Sequence, residues 1–559
     1  MSKYNTVLSY VLGKNTTFRG KIYDRFPKVY NIIVIGFVAS ISGLMFGFDI
    51  SSMSSMIGTQ AYKTYFHNPD STRQGGITSA MAGGSVLGSI LSPIYSDAYG
   101  RRVSLHVCAV LWLIGSTLQC AAQDVAMLVV GRLIAGIGIG FGVGTAPVYC
   151  AEIAPPKIRG AIAGIFQLSV VLGILILYYI GYGAHFIQST AAFRVTWGIE
   201  LAPGLALLVC TFFLPESPRW LANKNRWEEA TFNICKMNHT SPENISEEVA
   251  IQLQAMKDQV MNDKEAANFT YRDMLRKKTI RKTIVGMSAH MWQQLSGINV
   301  MNYYVVYIFE MAGYRGDAAL IAGSIHYCLN VGMTVISLFI IDRVGRRPLL
   351  LIGGPLMFTW LFAVAGTLAV HSVPVPGGVN GNPTVSISIP EDDKSAAKGV
   401  IACCFLFVAT FAVTWGTGVW VYSTEIYNNL ERAKGGSLSA SMNMLFNFSI
   451  GLFVPPAFRS ITWKTYIIFG VFTVVGTIHA FFMFPETKGK TLEEIDQMWA
   501  ANIPAWRSAS WRPPSQIDVD LTSHVLDESS SEIIEDDNKE TDKPMVTHIE
   551  DTELGSSSF

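Results

Sequence analysis

The chain has 559 residues, of which 50% are apolar and only 15% are charged, against about a quarter charged in an average soluble protein. The chain has 42 basic and 42 acidic residues, so its net charge is zero and does not indicate a polyanionic partner. We expect it not to bind nucleic acid. The mean hydropathy is +0.32. These figures exclude an ordinary soluble protein and predict one that lies in a lipid bilayer.

The chain contains long, unbroken apolar runs. Runs of about 20 apolar residues can cross the hydrocarbon core as helices, whereas barrel strands would alternate with a period of two. We therefore predict an all-α polytopic membrane protein. The twelve predicted transmembrane spans cover residues 30–50, 75–95, 103–122, 125–149, 161–181, 195–214, 284–309, 318–341, 348–370, 399–424, 437–458 and 464–484.

Charge in the connecting segments predicts the topology. The first 28 residues are polar and basic, and the loop between the sixth and seventh spans ends in "RKKTIRK" (276–282). Basic segments favour the cytosol, and an even number of spans then places both termini there. The predicted parts are a cytosolic N-terminal segment (1–28), a six-helix bundle (29–215), a cytosolic central loop (216–283), a second six-helix bundle (284–486) and a cytosolic C-terminal tail (487–559), disordered after about 505.

The first span contains a charge. Asp49 closes a run that is otherwise free of charge from residue 30, and intramembrane charges usually mark pathways or proton relays. Arg132 on the fourth span is the expected partner. Beside an arginine a carboxylate holds no proton, and in a dry site without the arginine it takes one. The pair therefore predicts either a proton carrier or a permanent salt bridge, with Glu200 on the sixth span as a weaker carrier candidate.

Three motifs recur after an interval of six spans. The pairs are "DAYGRR" (97–102) with "DRVGRR" (342–347), "EIAPPKIRG" (152–160) with "EIYNNLERAKG" (425–435), and "PESPR" (215–219) with "PETKG" (485–489). They predict two pseudo-symmetric six-helix bundles, an arrangement that alternates access to a midplane site. Opposite charges in the motifs predict a cytosolic gate that locks the outward-open state, with ordinary helix-end charge as the alternative for any single pair. Its residues are Asp97, Arg101, Arg102, Glu152, Arg159, Asp342, Arg346, Arg347, Glu425 and Arg432.

The seventh span carries three amides in "QQLSGIN" (293–299). An unmatched amide in hydrocarbon costs several kcal/mol, so Gln293, Gln294 and Asn299 must face protein or water. One interpretation is that these amides form hydrogen bonds between helices. A site for a polyhydroxylated ligand is the other, because amides donate and accept as hydroxyls do.

These motifs resemble those of a known family. "PESPRW", "PETKGKTLEE", the two "GRR" and "QQLSGIN" together resemble the sugar porter family of the major facilitator superfamily, over roughly residues 28–500. The stretches "VYNIIVIGFVASISGLMFGFDI" and "FPETKGKTLEEIDQMW" are most similar to the fungal high-affinity glucose transporters. The resemblance implies the major facilitator fold and sugar transport.

The resemblance also implies site residues. Its sugar-binding positions correspond to Gln167, Gln293, Gln294, Asn299, Asn330, Trp420 and Asn443. Three neighbours depart from patterns found in members of the family, since His290, Ala412 and Met444 replace a Gln, an acid and a Trp. The resemblance therefore supports hexose binding more strongly than it supports selectivity between hexoses. We expect His290 to be a neutral side chain in the wall of the cavity rather than a proton relay.

Proton symporters of the family carry Asp at the position of Asp49, where animal uniporters carry Asn. The chain shows no catalytic constellation, metal-ligand spacing or ATP motif, so we expect no enzyme activity and no cofactor. We predict a multi-pass plasma-membrane hexose carrier, with glucose as the favoured substrate and protons as the coupled ion through Asp49 and Arg132. Fungal hexose facilitators resemble the symporters at the position of Asp49, so a facilitative uniporter is one alternative. The others are a transporter-like glucose sensor and a carrier of another monosaccharide or polyol.

The acidic, Ser-rich stretch "DESSSEIIEDDNKETDK" (527–543) has few apolar residues and is expected to be disordered. It is either a solvated tail or a regulatory segment that kinases and a ubiquitin ligase modify.

Overall fold

The computed structural model of the protein describes residues 27–512 apart from 58, 68, 155–158, 188, 241–248, 251–252, 255, 258–268, 278, 315–316, 380–381, 383 and 491. The predicted N-terminal segment as far as residue 26 and the tail beyond residue 512 lie outside the described residues. Contacts divide the chain into two units, 1–509 and 510–559. The spans and the site lie in the first unit.

The predicted all-α membrane fold is confirmed. Within the described residues, eleven helices are long and apolar enough to cross a membrane, and they match eleven of the twelve predicted spans. The first, sixth and tenth of the twelve contain short interruptions. In chain order, these eleven spans are Ile32–Ala39 with Ile41–Met56, Ser71–Tyr99, Arg101–Cys120, Val125–Ile153, Arg159–His185, Ala191–Ile199 with Leu201–Cys210, Asp317–Val344, Arg346–His371, Lys394–Phe411 with Thr417–Glu425, Asn429–Ser460 and Lys464–Met483.

The seventh span differs from the continuous run predicted over 284–309. It consists of three short helices in series, Ile280–Leu295, Ile298–Tyr303 and Val305–Met311. Hydropathy does not locate such breaks, although Ser296 and Gly297 lie at the first of them. Irregular backbone at membrane depth is tolerated where it is buried in protein or lines a cavity.

Local capping explains where several spans begin. The Asp70 carboxylate accepts from the amide of the third residue beyond it at 2.7 Å, and Asp124 does the same for the fourth span at 2.7 Å. Asn428 and Glu431 form a reciprocal capping box at the start of the eleventh span. Gly100 and Gly345, with φ of 101° and 106°, make one-residue turns that a residue with a side chain would adopt only under strain.

The second and fourth spans approach each other closely through glycine. A Cβ at Gly84 would lie 2.2 Å from the carbonyl oxygen of Leu133, and one at Gly136 would lie 2.1 Å from that of Met81. Small residues permit such approach between membrane helices, where dispersion and hydrogen bonds rather than the hydrophobic effect hold the bundle together.

Short elements lie between and after the spans. The helices are Gln60–Tyr65 before the second span, Pro218–Asn223, Trp227–Met237 and the 3₁₀ turn Asp273–Leu275 in the central loop, and Leu492–Ala500 and the 3₁₀ turn Ala505–Arg507 after the twelfth span. Strands β1 (Val373–Pro374) and β2 (Ile387–Ser388) form an antiparallel hairpin after the ninth span, with Val373 opposite Ser388.

Candidate functional site

The seventh span is interrupted inside the "QQLSGIN" motif. Its first helix ends at Leu295, and Gly297 has a φ of 87° before the next helix begins at Ile298. A Cβ at Gly297 would lie 3.1 Å from Cγ of Phe469 on the twelfth span. The left-handed backbone therefore favours glycine, the ring leaves little room for a side chain, and the break places amides on two helix ends that face each other.

Four amide side chains form a head-to-tail chain of hydrogen bonds across this break. Asn299 Nδ2 donates to Gln294 Oε1 at 2.7 Å, and Gln294 Nε2 donates to Asn443 Oδ1 at 2.8 Å. Asn443 Nδ2 donates in turn to Gln293 Oε1 at 2.8 Å. All four side chains are buried, so each amide is oriented by its neighbour.

The chain of amides ends on the tenth span. Gln293 Nε2 lies 2.8 Å from the carbonyl oxygen of Trp415 and 3.0 Å from that of Gly416. These carbonyls belong to a π-helical turn, Ala412–Gly416, where the wider backbone departs from the regular α-helical ladder. Such π-bulges are frequent at functional sites. The sequence does not show this turn.

His290 joins the same network. The second hydrogen of Asn443 Nδ2 points to His290 Nδ1 at 3.1 Å, so that nitrogen must be the acceptor. His290 Nε2 then carries the hydrogen and donates to Ser423 Oγ at 3.0 Å. Its ring lies edge to face with Trp420, with centroids 4.6 Å apart. This arrangement holds a neutral imidazole in the wall of the site.

All seven side chains that the resemblance assigned to sugar binding line one cavity. The centre of a water-sized sphere can occupy about 40 Å³ of it, well above the 10–15 Å³ that one water needs. The remaining lining is mostly apolar and comes from the first, fifth, seventh and tenth spans, and a few polar groups in an apolar wall are typical of a small-molecule site. Asn302 also lines it. Sequence reasoning missed this residue, although it follows Asn299 by three positions.

Asp49 lies beside Arg132. Arg132 Nη2 is 2.7 Å from Asp49 Oδ1, and the two side chains are 0% and 2% exposed. The same nitrogen donates to the carbonyl oxygen of Thr78 at 3.2 Å. Arg132 Nε and Nη1 make no hydrogen bond to the described residues. Asp49 Oδ1 also makes no hydrogen bond of good geometry to the described residues, so the pair is held by charge.

Glu200 lies in the same buried cluster, at the junction of the two helices of the sixth span. Its carboxylate is in electrostatic contact with Asp49 and Arg132 and faces the hydroxyls of Ser52 and Ser116, without a hydrogen bond of good geometry to any described residue. Two carboxyl groups thus share one guanidinium. Because an uncompensated buried charge is strongly destabilising, the cluster is balanced when one carboxyl carries a proton.

The repeated "GRR" motifs lie at one end of the bundle, here called the motif end. In the first half Arg101 is bound to Glu152 through both Nη2 (2.8 Å) and Nε (3.1 Å). Its Nη1 also lies 3.0 Å from Asp97. Arg102 Nη1 donates to the main-chain carbonyl of Leu214 at 3.0 Å.

The second half repeats this network. Arg346 Nη2 lies 2.7 Å from Glu425 and 2.8 Å from Asp342. Arg347 Nη2 donates to the carbonyl oxygen of Phe481 at 2.9 Å. In both halves the first arginine of the motif pairs with the predicted acids and the second one binds main chain.

Two glutamates that sequence reasoning gave no role complete these networks. Glu216 accepts from the main-chain amides of both arginines of the first motif at 2.9 and 3.4 Å. Glu486 does the same in the second, at 3.1 Å for each. A carboxylate there satisfies unpaired amides at a helix N-terminus. The signal was present, because each glutamate follows proline in the repeated "PESPR" and "PETKG" motifs.

The other two predicted gate residues have different positions. Arg159 begins the fifth span, and its side chain lies outside the described residues. Arg432 Nε donates to the carbonyl oxygen of Thr424 at 3.2 Å, and its Nη2 to that of Tyr427 at 3.4 Å. It therefore holds the turn between the tenth and eleventh spans.

The two halves meet at the motif end through one further charge. Lys434 Nζ lies 3.1 Å from Asp97 Oδ2, and Ser89 and Ser441 hydroxyls are 2.8 Å apart. Lys434 was not predicted, although it lies two residues after Arg432 in the repeated motif. These contacts join the second span to the eleventh on this side of the cavity.

Contacts also join the halves at the opposite end. The Tyr178 hydroxyl donates to the carbonyl oxygen of Leu320 at 3.0 Å. The Tyr327 hydroxyl lies 3.3 Å from Ser54 Oγ, and the Tyr178 and Tyr327 rings are 4.7 Å apart. Contacts between the halves therefore lie on both sides of the cavity.

A duplicated six-span unit around one central polar cavity, joined at both ends, defines a membrane transporter of the alternating-access class. The model of the family "Sugar (and other) transporter" matches residues 35–499, and the chain belongs to that family. The expected resemblance to the sugar porters is confirmed, as is the expectation that the protein is a transporter rather than an enzyme.

Individual relatives agree with the family. The high-affinity glucose transporter of Kluyveromyces lactis is 62% identical over 518 residues, which cover 93% of this chain and 94% of that protein. High-affinity glucose transporter 1 of Candida albicans is 48% identical over 524 residues, with coverage of 93% and 95%. The solved structure of the proton:xylose symporter XylE bound to 6-bromo-6-deoxy-D-glucose superposes with a TM-score of 0.70 at 25% identity, covering 84% of this chain and 99% of that one.

Proposed function

We propose that the protein is a plasma-membrane hexose carrier that takes glucose and works by alternating access. The observation that carries the proposal is the central cavity, in which amides and an indole from five spans converge. The glucose transporter of Kluyveromyces lactis, at 62% identity over nearly the whole chain, supports glucose as the substrate.

The chemistry of the lining suits a sugar. Hydroxyl groups donate and accept, and so do the side-chain amides, while Trp420 offers an apolar face supported by Phe166, with ring centroids 5.0 Å apart. Because the amides already bond to one another, a sugar would exchange these bonds for its own rather than fill empty ones. Such an exchange leaves the number of hydrogen bonds nearly unchanged, so each exchanged bond adds little net free energy, which favours reversible binding.

Alternating access would use the two sets of contacts between the halves. The motif end would be the cytosolic gate, where Asp97 and Lys434 separate while the networks around Arg101 and Arg346 move as units with their own halves. At the opposite end the short helix Ile298–Tyr303 would move about Gly297 to admit the sugar. Rocking of two repeats around a fixed site is the usual motion of this architecture.

Proton coupling would reside in the cluster of Asp49, Arg132 and Glu200. One guanidinium cannot balance two ionised carboxyl groups, so the cluster would hold a proton on one of them. A conformational change that moves Asp49 away from Arg132 would favour the protonated carboxyl group, and one that brings them together would favour the ionised carboxylate. The proton:xylose symporter XylE, which shares the fold, supports symport rather than passive diffusion.

The test is uptake of labelled glucose by cells stripped of their own hexose carriers, with the pH of a weakly buffered medium recorded. The wild type should alkalinise the medium in step with uptake and accumulate glucose above the external concentration. Asp49→Asn should lose both, because it cannot release a proton. Asp124→Asn, which changes a capping aspartate of the fourth span, is the matched control and should retain both.

The other readings would give different results. Uptake that stops at equal concentrations without alkalinisation would make the protein a facilitative uniporter in which Asp49 is a permanent structural charge. No uptake of any sugar by protein that reaches the surface would favour a glucose sensor. Preferential uptake of another monosaccharide or a polyol would keep the carrier and change its substrate.

We also propose the remaining features predicted from the sequence. Both termini would be cytosolic, with the bundles spanning 29–215 and 284–486. The tail after about 505 would carry sites for kinases and a ubiquitin ligase. Protease protection of tags on each terminus in sealed cells tests the topology.

A further inference from the structure

Three amides that line the cavity, Gln167, Asn302 and Asn330, are not part of the chain of four amides. Asn302 lines the cavity and is 4% exposed, and its Oδ1 makes no hydrogen bond to any described residue. The four amides of the chain, in contrast, bond to one another. A buried amide oxygen without a partner is destabilising by about 1–3 kcal/mol, so a donor that enters the cavity would relieve this cost.

The position of Asn302 is fixed by its main chain. The Tyr327 hydroxyl on the eighth span donates to the Asn302 carbonyl oxygen at 2.6 Å and also contacts Ser54 on the first span. Asn302 lies on the short helix Ile298–Tyr303, beyond the break at Gly297. The side chain therefore has a defined place, on the segment that must move if the cavity is to open at that end.

Asn330 has the same property on the eighth span, since its Oδ1 is also buried without a hydrogen-bond partner among the described residues. Among the four amides of the chain together with Asn302 and Asn330, the cavity thus offers two kinds. One kind is already paired and would have to exchange its bonds, and the other has an unused acceptor. Only the second kind gains a hydrogen bond outright when a hydroxyl arrives.

We propose that Asn302 is a specificity-determining residue that accepts a hydrogen bond from one particular hydroxyl of the transported sugar. The inference rests on the proposed hexose transport and adds a residue to it. A site built to pair with a hydroxyl rejects the analogue that lacks it, because the buried partner is then left unpaired. The bond would also hold the helix Ile298–Tyr303 over the bound sugar.

The experiment compares glucose with a series of monodeoxyglucoses, each lacking one hydroxyl, as transported substrates. In the wild type, one analogue should show kcat/KM about tenfold below that of glucose because of Asn302. Asn302→Leu should lower kcat/KM for glucose by about the same factor and leave that analogue unchanged. In this variant the loss of kcat/KM caused by removing that one hydroxyl should therefore disappear, while the losses caused by removing each of the other hydroxyls remain.

Asn447→Leu is the matched control. Asn447 is an equally buried amide on the eleventh span, with an unpaired Oδ1, but it is not among the residues that line the cavity. This variant should keep the wild-type ranking of all analogues. Asn302→Ser, which is smaller, serves if the leucine variant fails to reach the surface, and it should lose most of the same discrimination.

An Asn302 variant that transports sugar and loses as much kcat/KM with each deoxyglucose as the wild type does would overturn the inference. Hexose transport would not be affected by that result. A wild type that reaches the surface and takes up no sugar would instead overturn the proposed function. The two failures are therefore distinguishable. Surface protein is quantified for each variant so that rates refer to equal amounts.

Discussion

At the residue scale, each amide in the site serves as donor and acceptor at once. Gln293 shows this best, since it accepts from Asn443 and donates to two carbonyls of the π-helical turn. Removing its side chain would leave all three partners short of a hydrogen bond. We expect Gln293→Ala to raise the KM for glucose by about tenfold or more, measured from initial uptake at a range of concentrations.

The matched control is Gln119→Ala. Gln119 is a fully buried glutamine on the third span that does not line the cavity, so its loss should leave the KM near that of the wild type. An unchanged KM in Gln293→Ala would remove the chain of amides from the binding site.

At the element scale, the seventh span shows what the sequence could and could not predict. Its existence and its three amides followed from hydropathy and from the family motif. The break did not, because it depends on the left-handed backbone at Gly297 and on the ring of Phe469, which comes from the twelfth span. The two carbonyl partners of Gln293 could not be predicted either, because they belong to the π-helical turn of the tenth span, which has no signature in the sequence.

The break itself can be tested by Gly297→Ala. A residue with a side chain at a left-handed position is destabilising by about 1–2 kcal/mol, and at Gly297 the new Cβ would also meet Phe469 at 3.1 Å. We expect a lower melting temperature in detergent together with a clear loss of glucose uptake.

Gly377→Ala separates backbone strain from disruption of the site. Gly377 also has a positive φ, of 83°, but a Cβ there would meet nothing within 4 Å. It should show the strain alone, with uptake like that of the wild type. Equal behaviour of the two variants would mean that the break has no special part in transport.

At the scale of the whole molecule, the sequence predicted each half better than the contact between the halves. The networks around Arg101 and Arg346 are internal to their halves, and duplication made them visible as repeated motifs. The pair of Asp97 and Lys434 could not be seen in this way, because it exists only where the two halves are placed together. Glu216 and Glu486 were repeated and still overlooked, since capping of a helix by a distant carboxylate requires the fold to be known.

The cross-half pair leads to a prediction about the equilibrium between conformations. Lys434→Ala removes the contact to Asp97 and leaves the pair of Asp97 with Arg101 in place. Asp97 is 37% exposed at its side chain, and ion pairs of this exposure are worth about 0.2–1 kcal/mol. The closed motif end should therefore open more often, by a factor of up to about five.

The measurement is the rate at which a maleimide labels a cysteine placed at Ser441, which contacts Ser89 at the closed end. Inside-out vesicles expose this end to the reagent if the proposed topology holds, and protein without the added cysteine gives the background. Arg226→Ala, which breaks an exposed pair with Glu229 inside the central loop, should label at the parent rate. Faster labelling in Lys434→Ala alone would identify the pair as part of the gate, whereas equal rates in all three proteins would show that the pair does not hold this end closed.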